Sequence, residues 1–293
     1  MSAAVGVAEP QAEPLVVPAT APPRPAVARP HAWYPTSPCA AHCLEHSGPQ
    51  VGRVVLGLRI AHLLAVVAMA GIAGLFIICS PRSMRRVYLR RVARELLRAL
   101  GIRVDIDDRR PSGSPAGGLI VANHISYLDI LAIAVVQPAH FVAKSDVTTM
   151  PGISLLARRL GVIGIDRASL RTLPSVIEQT VAGLDRGASV AVFPEGTTWC
   201  GRAQGGFRPA FFQSALDAGV PILPISIGFT ARGIRTAQPG FIGDDGPGDT
   251  LRRVLRSRHV AVHVGLHRPQ LPTGDRRSLA AACEGLIRSG GPW

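Results

Sequence analysis

At 293 residues with 47% apolar side chains, the chain has ample material for a buried core, and its slightly positive mean hydropathy points to some apolar sequence facing lipid. The formal charge is +13, from 32 basic against 19 acidic residues, which suits anionic partners. Aromatics are only 5% and no basic run is interleaved with them, so nucleic acid is the weaker partner; five cysteines are too few for a disulfide scaffold and fit a reduced, cytosol-facing fold.

The N-terminal residues are rich in Pro and Ala and lack periodicity, which predicts a disordered tail over 1–52. No basic stretch precedes an early apolar run, so a cleaved signal peptide is not expected. Within the tail, Cys39, His42, Cys43 and His46 crowd together. That spacing is compatible with a metal ion, but a plain tail or a local disulfide accounts for it better, and no metal site is expected.

Residues 53–100 predict a pair of membrane-associated helices. The run from Ile60 to Cys79 is apolar except for His62, and its 20 residues would cross a hydrocarbon layer of about 30 Å. Arg59 stands at its edge, where it can snorkel. Arg82, Arg85, Arg86, Arg90, Arg91, Arg94 and Arg98 follow, so the positive-inside rule places everything after Cys79 in the cytosol, at the cell membrane. The stretch 82–100 has Leu and Val at helical spacing opposite these arginines and reads as a basic amphipathic helix that Gly101 ends.

From residue 101 to 293 the pattern becomes that of an α/β domain with a mostly parallel central sheet flanked by helices. Predicted strands are Ile102–Ile106, Leu119–Ala122, His140–Ala143, Val162–Ile165, Ser189–Phe193, Ile222–Ile227 and Val260–Val264. Helices are predicted near 128–136, 152–160, 172–185, 208–218 and 276–288. In such sheets function collects at the carboxyl ends of the strands.

Immediately after the strand Leu119–Ala122 comes Asn123-His124-Ile125-Ser126-Tyr127-Leu128-Asp129. On one straight helix His124 and Asp129 would lie on different faces. They meet only if His124 sits in a turn and Asp129 in the first turn of the next helix, where the carboxylate would hold one ring nitrogen as N–H and free the other to take a proton. A satisfied structural histidine is the ordinary reading of such a pair taken alone. Ser126 reads as a helix-start cap or turn residue. Phe193-Pro194-Glu195-Gly196-Thr197-Thr198 forms a second strand-end turn, and Glu195 can fix basic side chains or ligand hydroxyls. Gly161–Arg167 ends another strand on an arginine whose planar fork matches phosphate, or which pairs with Asp166. Val220–Ile225 is an apolar strand punctuated by prolines, suited to core and acyl-pocket wall.

In order and spacing these four elements resemble the four sequence blocks of the glycerolipid acyltransferase family, bacterial 1-acylglycerol-3-phosphate acyltransferases in particular. The resemblance runs from about Leu119 to Gly228 and includes Phe141-Val-Ala-Lys144-Ser, Pro151 and Gly206-Phe207-Arg208. It implies that His124 and Asp129 are catalytic, that Arg167 binds the acceptor phosphate, and that Glu195, Gly196 and Thr197 serve the acceptor, with Lys144 and Arg208 adding charge. It further implies a lysophospholipid acceptor, with acyl-CoA or acyl carrier protein as donor co-substrate and no other cofactor. Where many members carry Arg or Ser after the Glu-Gly-Thr turn, this chain has Thr198, which removes a phosphate contact that Arg208 would have to supply. The rivals are a serine lipid hydrolase, for which no Gly-x-Ser-x-Gly elbow is present, and a basic membrane-binding scaffold without catalysis.

Overall fold

The computed structural model describes residues 34–44, 49–77, 79–145, 154, 157 and 159–290. Its helices are α1 (Arg53–Ile77), α2 (Arg82–Ala99), α3 (Leu128–Val136), α4 (Leu173–Asp185), α5 (Phe212–Asp217), α6 (Pro247–Arg256) and α7 (Arg276–Ser289). The strands are β1 (Ile102–Asp108), β2 (Leu119–Ala122), β3 (His140–Lys144), β4 (Ile163–Ile165), β5 (Val190–Val192), β6 (Ile222–Ala231), β7 (Ile234–Arg235) and β8 (Val260–Leu266).

They form one sheet in the order β1-β8-β6-β2-β5-β3-β4, with β7 folded back on β6. The strands from β6 to β4 are mutually parallel; β8 meets β6 antiparallel and carries β1 alongside it in parallel. β2 lies at the middle, and its four residues are all buried because helices cover both faces. The two-residue period of a strand divides them: Ile120 and Ala122 join a core with α2, α3 and α6, while Leu119 and Val121 join a core with α4, α5 and α7. Complete burial of side chains such as Ile120 and Leu119 contributes about 1.5–3 kcal/mol each. A charge introduced in β2 would therefore break the sheet that carries the site.

The seven expected strands are present, as are helices at 128–136, 173–185 and 276–289. The helix expected over 208–218 is shorter, Phe212–Asp217, and most of the one expected over 152–160, with Pro151 beside it, lies outside the described residues. Helix α6 and strand β7 were not expected. Helix α6 is only ten residues long, with its large apolar side chains confined to Leu251, Val254 and Leu255, and β7 has only two residues, so neither gives a sustained pattern.

The front of the chain departs further from expectation. Residues 1–33 and His46 lie outside the described set, but residues 34–44, expected within a disordered tail, are seated on the domain. Cys39 is buried with Cys200, Ala237 and Ile242, and Cys43, Leu44 and Trp199 pack around them.

Helix α1 is long and apolar enough to cross a membrane by length and composition, and none of its most apolar window is buried. Its first turns nevertheless belong to the domain. Leu56 and Leu63 pack on the core, and Val51 N–H donates to the Arg256 carbonyl at 2.8 Å. Arg59 does not snorkel toward lipid. Its Nη1 donates to the carbonyls of Leu255 (2.7 Å) and Ser257 (2.8 Å) at the end of α6, where the helix dipole favours a cation. The guanidinium lies so close over Gly101, at φ +76, that a side chain there would collide with it. Helix α2 returns antiparallel beside α1, with the Tyr88 hydroxyl bonded to the Ala70 carbonyl, and buries Ala93 and Leu97 as it reaches α3. A single crossing that left residues 49–52 and the domain on opposite sides is incompatible with these contacts. The two helices form a hairpin with both ends on the domain.

Candidate active site

The turn after β2 is built almost wholly from backbone-directed bonds. Asn123 closes it from below. Its amide donates to the Ile227 carbonyl and accepts the Ile227 N–H, both at 2.8 Å, prolonging the β2–β6 pairing by one side chain. His124 then sits in the turn and Asp129 in the first turn of α3, as the sequence spacing required. Asp129 is fully buried and its Oδ2 collects three partners: His124 Nδ1 at 2.9 Å, Ile125 N–H at 2.6 Å and Ser126 N–H at 2.9 Å. The two backbone donors hold the carboxylate, and the carboxylate in turn fixes the proton on Nδ1. Nε2 is left as the basic nitrogen. The His124 side chain is 12% exposed, so the ring is reachable while its partner is not. Leu128 N–H meets the Ser126 Oγ at 3.4 Å and Ser126 is fully buried, as a turn residue just before the helix, whose N-cap is Tyr127.

The second turn, after β5, grips the first. Phe193 lies flat against the imidazole, with ring centroids 3.9 Å apart and planes 12° off parallel, and is itself stacked near Phe141. Glu195, expected to face the acceptor, is turned inward. It is buried, its Oε2 accepts the His124 N–H at 2.6 Å and its Oε1 accepts the Gly205 N–H at 3.0 Å. Burial pushes its carboxyl up to about 8 against the opposing pull of those two N–H groups, and the nearby Asp129 charge pushes the same way. Glu195 thus binds the two turns together.

Beyond it, Gly196 takes φ +76, and a Cβ there would stand 3.0 Å from Pro35 and 3.5 Å from Arg208 Nε. Arg208 is therefore beside the turn, and its backbone N–H donates to the Pro194 carbonyl at 3.0 Å. Thr197 is half-buried in the turn. The Thr198 hydroxyl is spent on the Phe241 carbonyl. Trp199 N–H donates to the His124 carbonyl at 2.8 Å, and Phe241 N–H to that of Ile125 at 2.9 Å, so two struts that sequence reading missed support the His124 turn. Both arrive from loops distant in sequence, and only the position of Trp199 just past the Glu-Gly-Thr turn hinted at one of them.

Lys144 ends β3 and Arg167 follows β4, in strands paired with Lys144 opposite Ile165. They share the carboxyl edge with His124 but stand two and three strands away from β2. The structure brings His124, Asp129, Glu195, Gly196 and Arg208 together and sets Lys144 and Arg167 further along the same rim.

A histidine held by a buried carboxylate at the carboxyl edge of an α/β sheet, with cations along that edge, is an arrangement suited to general-base chemistry. A family model described as Acyltransferase matches residues 101–228. The chain is 32% identical over 185 residues to the 1-acyl-sn-glycerol-3-phosphate acyltransferase of Neisseria meningitidis serogroup B, covering 63% of this chain and 71% of that one. It is 37% identical over 172 residues to the lyso-ornithine lipid O-acyltransferase of Pseudomonas aeruginosa, covering 58% and 66%. The crystal structure of the 1-acyl-sn-glycerophosphate acyltransferase from Thermotoga maritima shares the fold with a TM-score of 0.56 at 20% identity, over 80% of this chain and 99% of that one. The chain belongs to the acyltransferase family and is an acyltransferase of the lysophospholipid type.

Proposed function

We propose that this enzyme esterifies the free hydroxyl of 1-acyl-sn-glycerol 3-phosphate with a fatty acyl group from acyl-CoA or acyl carrier protein, forming phosphatidic acid at the membrane surface. The observation that carries the chemistry is the 2.9 Å contact between His124 Nδ1 and a fully buried Asp129. His124 Nε2 takes the hydroxyl proton as the acceptor oxygen attacks the thioester carbonyl. Asp129 steadies the imidazolium. The tetrahedral intermediate then expels the thiolate, which recovers the proton from the ring, so one C–O bond forms and one C–S bond breaks. A thiolate leaves readily, and the transfer needs no cofactor beyond its donor. Arg208 and the rim cations Arg167 and Lys144 supply charge for the acceptor phosphate.

The hairpin supports delivery of the acceptor. The exposed face of α1 is apolar, while Arg85, Arg86 and Arg90 are exposed on α2, the last two beside a cleft that Asp108 and Arg110 also line. Laid on an anionic surface, the first dips into the acyl region and the second meets headgroups, with the domain on one side. The basic composition of α2 favours the cytoplasmic leaflet.

A second acceptor has specific support. The 37% identity to a lyso-ornithine lipid O-acyltransferase, together with Thr198 committed to the Phe241 carbonyl, weakens the case for a phosphate contact at that position. Purified enzyme offered a panel of lysolipids with each donor, with product masses read out, separates the two. Preference for lysophosphatidic acid supports the first reading, and acylation of lyso-ornithine lipid alone replaces it.

A further inference from the structure

Cys39, Cys43 and Cys200 are separated by up to 161 positions in the chain, yet their sulfur atoms all lie within 4.8 Å of one another. Cys39 and Cys200 are buried, Cys43 is partly so, and all three are free thiols. We propose that these three cysteines form a thiolate site for a zinc ion that fastens the segment 34–44 onto the loop following the Glu195–Gly196 turn.

Three observations bear on this. The first is number and spacing. A disulfide would use two of the sulfurs and strand the third in a buried cluster, whereas zinc at about 2.3 Å from each sulfur needs them about 3.8 Å apart, a contraction of about 1 Å that short side chains allow. Three thiolates leave one tetrahedral position for a further donor. The second is the backbone around the sulfurs. Cys200 N–H donates to Cys39 Sγ at 3.3 Å, and the N–H groups of Arg202 and Ala203 bond to the Cys200 sulfur across Gly201, which turns at φ +82. Donors aimed at sulfur stabilise a thiolate more than a thiol. The third is chemistry: soft thiolates select zinc over the hard cations that oxygen ligands would take.

The site would matter to catalysis through position alone. Cys200 follows Trp199, whose N–H holds the His124 carbonyl, and a Cβ on Gly201 would touch the Ile125 side chain at 3.1 Å. On the other side of the cluster, Pro35 lies against Gly196 and Ala40 against Gly243. Loss of the ion would loosen this wall beside the acceptor turn and leave the His124–Asp129 pair intact.

The test is metal analysis of the full chain purified in detergent without chelators. The expected result is about one zinc per chain, reduced to about a tenth or less in Cys39→Ser, Cys43→Ser and Cys200→Ser and unchanged in Cys79→Ser, whose cysteine is exposed. Growth with cobalt(II) should give the wild-type protein an intense near-ultraviolet thiolate-to-cobalt band, a readout that stands even if the cluster variants fail to fold. Release of zinc should raise KM for the acceptor several-fold more than it lowers kcat. Wild-type protein with neither zinc nor the cobalt band overturns the proposal, as does copper in place of zinc, or a disulfide between two of the three in protein alkylated at lysis.

Discussion

The turn that carries His124 and the hairpin that carries the membrane face are held in opposite ways. The turn is over-determined. Within seven residues, Asn123, His124, Ile125, Ser126 and Asp129 make bonds that mostly end on backbone atoms, and Glu195, Trp199 and Phe241 add three more from outside. The hairpin is fixed at its domain end, by Arg59 over Gly101 and by Ala93 and Leu97 of α2 in the core beside α3, and leaves the apolar window of α1 unburied. A site that must place a proton acceptor to within a few tenths of an ångström is built as a rigid lattice. An element that must meet a fluid surface keeps its binding face free of the protein.

Changes in the rigid region should therefore cost activity, and changes in the front should cost stability or location. The largest effect is expected for Asp129→Asn. It keeps the shape, and its amide oxygen can still accept the three bonds made by Oδ2, but it removes the negative charge that would steady the imidazolium and puts an N–H group at the buried Oδ1 position. Acylation should fall about 10²–10⁴-fold with KM for the acceptor changed far less, as steady-state kinetics on mixed micelles would record.

Glu195→Gln should come next, with a loss of about tenfold and about 1–3 kcal/mol of stability, because an amide NH₂ must face a backbone N–H. It also carries a pH signature. The folded protein keeps a proton on Glu195 up to about 8, while the unfolded chain releases it near 4.5. This contribution to stability is full below that lower value and is lost as pH rises through about 8. Denaturation curves should show wild type weakening between those pH values and Glu195→Gln with a flatter dependence. An equal slope in both would show that Glu195 is not the group responsible.

In the front, Arg59→Ala should cost about 1.5–3 kcal/mol by removing two charge-assisted bonds to the end of α6, leaving kcat within about threefold in enzyme that remains folded. Smaller still is the expected effect of Arg85→Gln with Arg86→Gln. Flotation with anionic vesicles should weaken by about 1 kcal/mol per charge removed, while binding to neutral vesicles stays unchanged. Equal loss on both vesicle types would assign the arginines to folding instead.

The same contrast explains what was legible in the sequence. His124 and Asp129 are five residues apart, and the strand-turn-helix that joins them follows from local apolar patterning, so their meeting could be argued before any fold was seen. β2 was readable because four consecutive apolar residues between polar turns suit only a strand covered on both faces. Glu195 was found, but nothing local shows that its oxygens accept the N–H groups of His124 and Gly205, one of them 71 positions away. Arg59 looked like a snorkelling residue because its partners, the carbonyls of Leu255 and Ser257 at the end of a ten-residue helix, are 196 and 198 positions away in the chain. Cys39 and Cys43 looked like tail residues because the third sulfur stands at Cys200.

The central claim is that Asp129 acts through His124, and a double-mutant cycle on lysolipid acylation tests it most directly. His124→Ala alone should lower kcat about 10²–10⁴-fold, and adding Asp129→Asn to it should lower kcat little further, since the carboxylate has no ring left to orient. If the two losses multiply instead, or if His124→Ala keeps activity within about threefold of wild type, the account of this site is wrong.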